Sequence, residues 1–138
     1  MKKLVEDISF KEKDGQLAEL FSSKAEEMAK LLNNRERKEI EGKDYKPDIS
    51  TTQYRKFYEK ILELNEKAKG LDEVAFKIKV LPFVKMLNSK VQYSKERKHS
   101  GSHFVVLMET SIKAVSSAHE LQNFKYLLES IIGYMPKK

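Results

Sequence analysis

Cysteine does not occur in this chain of 138 residues. That excludes disulfides, thiolate zinc sites and cysteine nucleophiles together, and it fits a reducing compartment. Glycine is sparse too. The five glycines are scattered and none belongs to a GxGxxG or GxxxxGKS/T loop, so the sequence carries no dedicated cradle for nucleotide phosphates. Long apolar runs are also missing: the longest, Phe104 to Met108, is far too short to span a bilayer. The opening Met1-Lys2-Lys3-Leu4-Val5-Glu6 reaches an acid before any apolar stretch develops, unlike a signal peptide. The expectation is a soluble, cytoplasmic protein.

Charge is what the sequence has in plenty. Hydrophobic residues make up 40% and charged residues 35%, the balance of a globular protein with a heavily charged surface. The length suits one domain with a real core. Lys and Arg total 27 against 21 acids, a formal net charge of +6. An excess of that size suits a polyanion or an acidic protein surface.

Residues 1–13 read as a mixed-charge arm without a clear period, and residues 14–138 as a helical bundle domain. Leu17, Leu20, Phe21, Ala25, Met28, Leu31, Leu32 and Arg35 share one face of a first helix, with Asp14 as its cap and Gly42 as its end. Residues 42–48 hold Gly, Asp and Pro and read as a loop. Ser50-Thr51-Thr52 offers caps for a second helix with an apolar stripe of Tyr54, Phe57, Tyr58, Ile61, Leu64 and Ala68, closed by Gly70. A third segment runs from Leu71 to Arg97, and Pro82 inside it should kink or split it. Phe76 to Val80 alternates as a strand does, yet Phe76, Val80, Phe83, Leu87 and Val91 hold a helical spacing through it. After the turn His99-Ser100-Gly101-Ser102 comes a fourth helix, with Phe104, Met108, Ile112 and Val115 inward. A break at Ser116-Ser117-Ala118 precedes the last, which carries Leu121, Phe124, Leu128, Ile131, Ile132 and Met135 and stops at Pro136. The expected architecture is all-α: a single compact bundle of about five helices, the third kinked near Pro82.

Little in this pattern is suited to catalysis. His99 and His103 stand four apart, but Gly101 between them argues for a turn, and no carboxylate within several residues completes a metal site. The acids alternate with lysines, as in Glu59-Lys60 and Glu63 to Lys67, which is the habit of a solvated helix face. Neither a cofactor nor a metal is expected. The third segment is more informative. At about 100° per residue, Lys79, Met86, Lys90, Tyr93 and Arg97 fall in one stripe at the edge of the core face, with Lys85, Lys95 and Lys98 nearby. Such a row suits a phosphate backbone, with the tyrosine as a stacking or hydrogen-bonding partner. It equally suits an ordinary solubilising face. Arg55, in the first turn of the second helix, sits poorly against the helix's positive end; either an external anion or Glu59 accounts for it.

Three segments together resemble one family. Ser50-Thr51-Thr52-Gln53-Tyr54-Arg55-Lys56-Phe57 is similar to the TTSQIRKF opening of the small subunit of type III-A CRISPR–Cas (Csm) effector complexes. Met86 to Arg97 resembles that family's L-x-x-K-L/V-x-Y-x-x-G/A-R segment, with Glu96 in place of the usual small residue before the arginine. Phe124 to Tyr134 looks like its final helix. The resemblance implies a subunit that stacks in several copies along the guide RNA–target RNA duplex, beside RRM-like backbone subunits and a large polymerase-domain subunit. It implies phosphate contacts without sequence reading, no catalytic residues, and a part in antiviral defence. Carried over by position, the contacts are Arg55, Lys90 and Arg97, while Lys79, Lys85 and Tyr93 come from the stripe and its local charge. The free chain, with part of its apolar stripe uncovered, is expected to form dimers.

Two other readings remain open at this stage: a helical protein–protein adaptor whose basic face never meets nucleic acid, and a small metal-independent ribonuclease using His99 or His103. The pure protein is expected to leave labelled single-stranded and duplex RNA intact on a denaturing gel, with or without divalent metal. Cleavage that disappears in His99→Ala or His103→Ala would establish the ribonuclease instead.

Overall fold

Three helices start where a short polar side chain is placed to receive a free amide. Ser50 accepts from the Gln53 amide (3.2 Å) and opens α4 (Thr51–Ala68). Asp72 accepts from Ala75 (2.8 Å) and opens α5 (Glu73–Lys79). Ser117 accepts from Glu120 (3.1 Å) and opens α8 (Ala118–Tyr134). Caps of this kind are each worth about 1 kcal/mol. In the computed structural model, which describes residues 1–13, 15–34, 42 and 46–135, these helices are joined by α1 (Lys2–Val5), α2 (Gln16–Glu19), α3 (Ala25–Leu32), α6 (Leu81–Glu96) and α7 (Ser102–Ala114). Between α2 and α3 the chain passes through a π-helical stretch, Leu20–Lys24, in which Ser22 Oγ donates back to the Ala18 carbonyl (2.5 Å). Among the described residues there is no strand; one isolated bridge pairs Ile49 with Ser100. Asp14, Arg35 and Pro136, which the sequence reading used as cap, inner-face residue and stop, lie outside the described residues.

The fold is all-α. α8 lies along α3 and α4, α7 lies along α6, and α1 packs on α7. Tyr54 is fully buried on α4, and its hydroxyl donates to the Leu128 carbonyl of α8 (2.6 Å). Burial raises its pKa well above the ordinary tyrosine value. Phe104 of α7 meets the rings of Tyr54 and Phe57, with centroids 6.1 and 5.1 Å away. The N-terminal residues join this core. Val5 and Phe10 are buried, Phe10 stacks on Phe124 with centroids 5.4 Å apart, and Asn123 donates to the Phe10 carbonyl (2.7 Å). Burying one such phenylalanine stabilises a fold by about 2 kcal/mol.

Two expectations change. The first helical run ends at Leu32, not at Gly42: Asn33 caps it and Asn34 takes a left-handed φ of 48°, a conformation asparagine tolerates. The third helix, expected to kink or split at Pro82, is split, and one residue of its inner face moves out. Pro82 has no N–H to offer the Ile78 carbonyl, so α5 stops, and Val80 (φ −120°, ψ −48°) joins it to α6, where the proline occupies a first-turn position that needs no donor. The buried face runs on through the division, with Phe76, Val80, Leu87 and Val91 inward as expected. Phe83, expected inward, is 51% exposed, and Val84 is buried in its place.

One helix start is capped from far away in the chain. α7 begins at Gly101 without a capping side chain of its own. The carboxylate of Asp48 accepts from the amides of His103 (3.2 Å) and Phe104 (2.7 Å), and the Asp48 carbonyl accepts from Gly101 (2.7 Å). A Cβ added at Gly101 would overlap Asp48 Oδ1. Asp48→Ala is therefore expected to lower the unfolding free energy by about 2 kcal/mol in urea titration, and Gly101→Ala to lower it as well. Wild-type stability in both variants would show that the distant cap contributes nothing.

Candidate nucleic-acid interface

Helices α4 and α6 lie side by side and leave between them a groove of about 410 Å³. The spacing of its walls follows from helix geometry. Gln53, Phe57 and Lys60 stand at i, i+4 and i+7 on α4, with Lys56 beside them; Leu87, Lys90 and Ser94 stand at i, i+3 and i+7 on α6. Phe57 and Leu87 supply apolar floor. Lys56, Lys60 and Lys90 supply charge, Tyr93 an exposed ring, and no carboxylate is among the described lining residues. Lys60 pairs with Glu63 at 3.4 Å, and Glu63 reaches Lys67 at the same distance. Lys60 first, and then Lys67, hold the Glu63 carboxyl below its ordinary pKa. Among the described residues neither Lys56 nor Lys90 has an ion-pair partner, so both charges face solvent.

Met86, Lys90 and Tyr93 of the stripe read from the sequence lie on α6, and Arg97 is the residue after it. Met86 and Tyr93 are 58% and 59% exposed, and Lys90 and Arg97 are exposed beside them. The Arg97 guanidinium lies over the Tyr93 ring, 5.1 Å from its centroid. Lys79, at the end of α5, is exposed but does not line the groove, and Arg55 is exposed on α4 away from it.

Lys85 has a different situation. Its ammonium donates to the Ile112 and Val115 carbonyls (2.7 and 2.8 Å) and closes the C-terminal end of α7. Burial lowers its pKa, and nearby Glu120 acts against that shift. Glu120 is itself buried and accepts from the Ser116 hydroxyl (2.6 Å) and amide (3.2 Å). Of the histidines, His99 lines the groove, whereas the His103 amide belongs to the Asp48 cap. Among the described residues no group of three potential ligands is placed to hold a metal ion, and no helix is long and apolar enough to cross a membrane.

Lys56, Lys60 and Gln53 were missed by the sequence reading. Lys60 adjoins Glu59 and was absorbed into the pattern of a solvated face. The available signal was the i, i+4 spacing of Lys56 and Lys60 on the side of α4 that carries Phe57.

The family model described as Csm2 Type III-A matches residues 15–135 of the chain. No curated protein and no solved structure matches it.

Because its ammonium is held by two carbonyls, Lys85→Ala is expected to lower the unfolding free energy by about 1 to 2 kcal/mol, with little change in any affinity for a polyanion. Lys90→Ala should do the reverse. Urea titration and anion-binding isotherms on the same two variants check the contrast.

Proposed function

The chain belongs to the Csm2 type III-A family and is a small subunit of a type III-A CRISPR complex, and on that premise we propose that its α4–α6 face binds the backbone of guide RNA–target RNA without reading sequence. The observation that carries this reading is the pair of ammonium groups, Lys56 and Lys90, without an ion-pair partner among the described residues, on one groove beside Tyr93 and Arg97. Cations free of internal partners bind phosphates by releasing the counterions condensed on the nucleic acid. Arg97, with its planar fork, suits bidentate phosphate contact. Arg55 and Lys79 extend the positive field from outside the groove, and Lys85 adds charge while its contacts stay within the fold.

Its partners are other subunits of the complex. In this reading they include RRM-like backbone subunits, the large polymerase-domain subunit and further copies of the chain itself, acting in the cytoplasm in antiviral defence. The role is non-catalytic, with cleavage and nucleotide chemistry assigned to those neighbours. An apolar row supports a protein neighbour next to the RNA: Val74 and Ile78 on α5 are 67% and 68% exposed, and Phe83 and Met86 follow on α6.

With roughly three phosphate contacts per subunit, log K for RNA should fall with log salt at a slope of about −2 to −3. Replacing Lys90 and Arg97 together by Ala should flatten it by about one to two. Circular dichroism and melting temperature should hold, since both side chains are exposed. A well-folded double variant with unchanged affinity and slope would favour the protein adaptor without nucleic acid.

A further inference from the structure

Phosphate contacts alone do not require a cavity. Cations alone suffice for a protein that only tracks a backbone, without an apolar floor between them. Here the cations rim a groove whose volume of about 410 Å³ falls within the roughly 300–1,000 Å³ common for small-ligand sites. Its floor is Phe57 and Leu87, and Tyr93 stands at its side with more than half its surface open. Apolar floor and cationic rim together match an amphipathic anion: a flat ring carrying phosphate.

In an RNA duplex the faces of paired bases are covered by their neighbours, and only an unpaired nucleotide offers a free π-face. We infer that the α4–α6 groove takes one unpaired nucleotide, with its base against Phe57, Leu87 and Tyr93 and its flanking phosphates on Lys56, Lys60 and Lys90. Gln53 lines the same groove, and its side-chain amide offers one donor group and one acceptor to a base edge. An amide that can turn either way accepts different bases, so the site discriminates unpaired from paired nucleotides rather than one base from another. No carboxylate is among the described lining residues, and Glu63, which pairs with Lys60, stands outside them.

This inference rests on the proposed RNA binding, and the experiment separates the two. Two RNA duplexes of matched sequence carry 2-aminopurine, in one as a single-nucleotide bulge and in the other paired with uridine. Affinity is measured by anisotropy at fixed low salt, and base stacking by 2-aminopurine fluorescence. The bulged duplex should bind about tenfold tighter, the effect of one aromatic–base stack, and its fluorescence should fall on binding. Tyr93→Ala should bring the affinity ratio close to one, whereas Lys90→Ala should weaken both duplexes and keep the bulge preferred. Equal affinities for the two duplexes would overturn the groove inference and leave backbone binding standing. A bulge preference that survives intact in a folded Tyr93→Ala protein would place the base elsewhere and overturn it too. Binding of neither duplex would overturn both readings.

Discussion

Four hydrogen bonds converge on Asp48, and the arrangement of the bundle turns on them. Its amide donates to the Leu32 carbonyl at the end of α3, and its carbonyl accepts from Gly101. Its two carboxylate oxygens accept from the first turn of α7. One residue outside any helix thus fastens the end of one helix to the beginning of another. Its negative charge also lies at the positive end of the α7 dipole, where it is favoured. The neighbouring Ile49 is buried and bridges to Ser100, so the same clasp fixes the chain just after α6. From there α7 is set against α6, Phe104 reaches Tyr54 and Phe57, and the wall of the groove that Phe57 forms gains its backing.

How far the sequence reveals this depends on the range of each interaction. Ser50, Asp72 and Ser117 cap the helices they precede, so their role follows from neighbours three residues away. Ser50 and the Ser116-Ser117 break were read on that basis. The Asp48 cap joins residues more than fifty positions apart, and no local pattern marks it. Phe83 shows a different limit. It shares the helical period of Phe76, Val80, Leu87 and Val91, which are buried, yet it lies at the edge of that face, and Val84 takes the inward place. Asn33-Asn34 was a readable stop signal for α3, passed over when Gly42 was taken as its end.

The candidate site divides in the same way. Lys90, Tyr93 and Arg97 share one helix face, and helical spacing alone brings them together. Lys56 and Lys60 reach them only because a second helix lies alongside, which spacing within one segment does not disclose. Lys85 and Lys90 differ by five positions on the same helix, yet one lies within hydrogen-bond reach of two carbonyls of a neighbouring helix and the other faces solvent. A lysine's environment, and not its presence in a basic run, decides whether its charge is free to meet an anion.

The wide turn at Leu20–Lys24 bears on how this chain tolerates changes of length. A π-helical turn carries one residue more than an α-helix needs, so the segment beyond it is already displaced by about 100° and 1.5 Å from a regular continuation. A one-residue deletion there relaxes the turn into ordinary α-helix and leaves Leu17 before it and Met28 and Leu32 after it on the buried side. The same deletion in α4 has no surplus to absorb it. It would rotate Tyr54 and Leu64 relative to one another and take either the Tyr54 hydroxyl from Leu128 or Leu64 from the core.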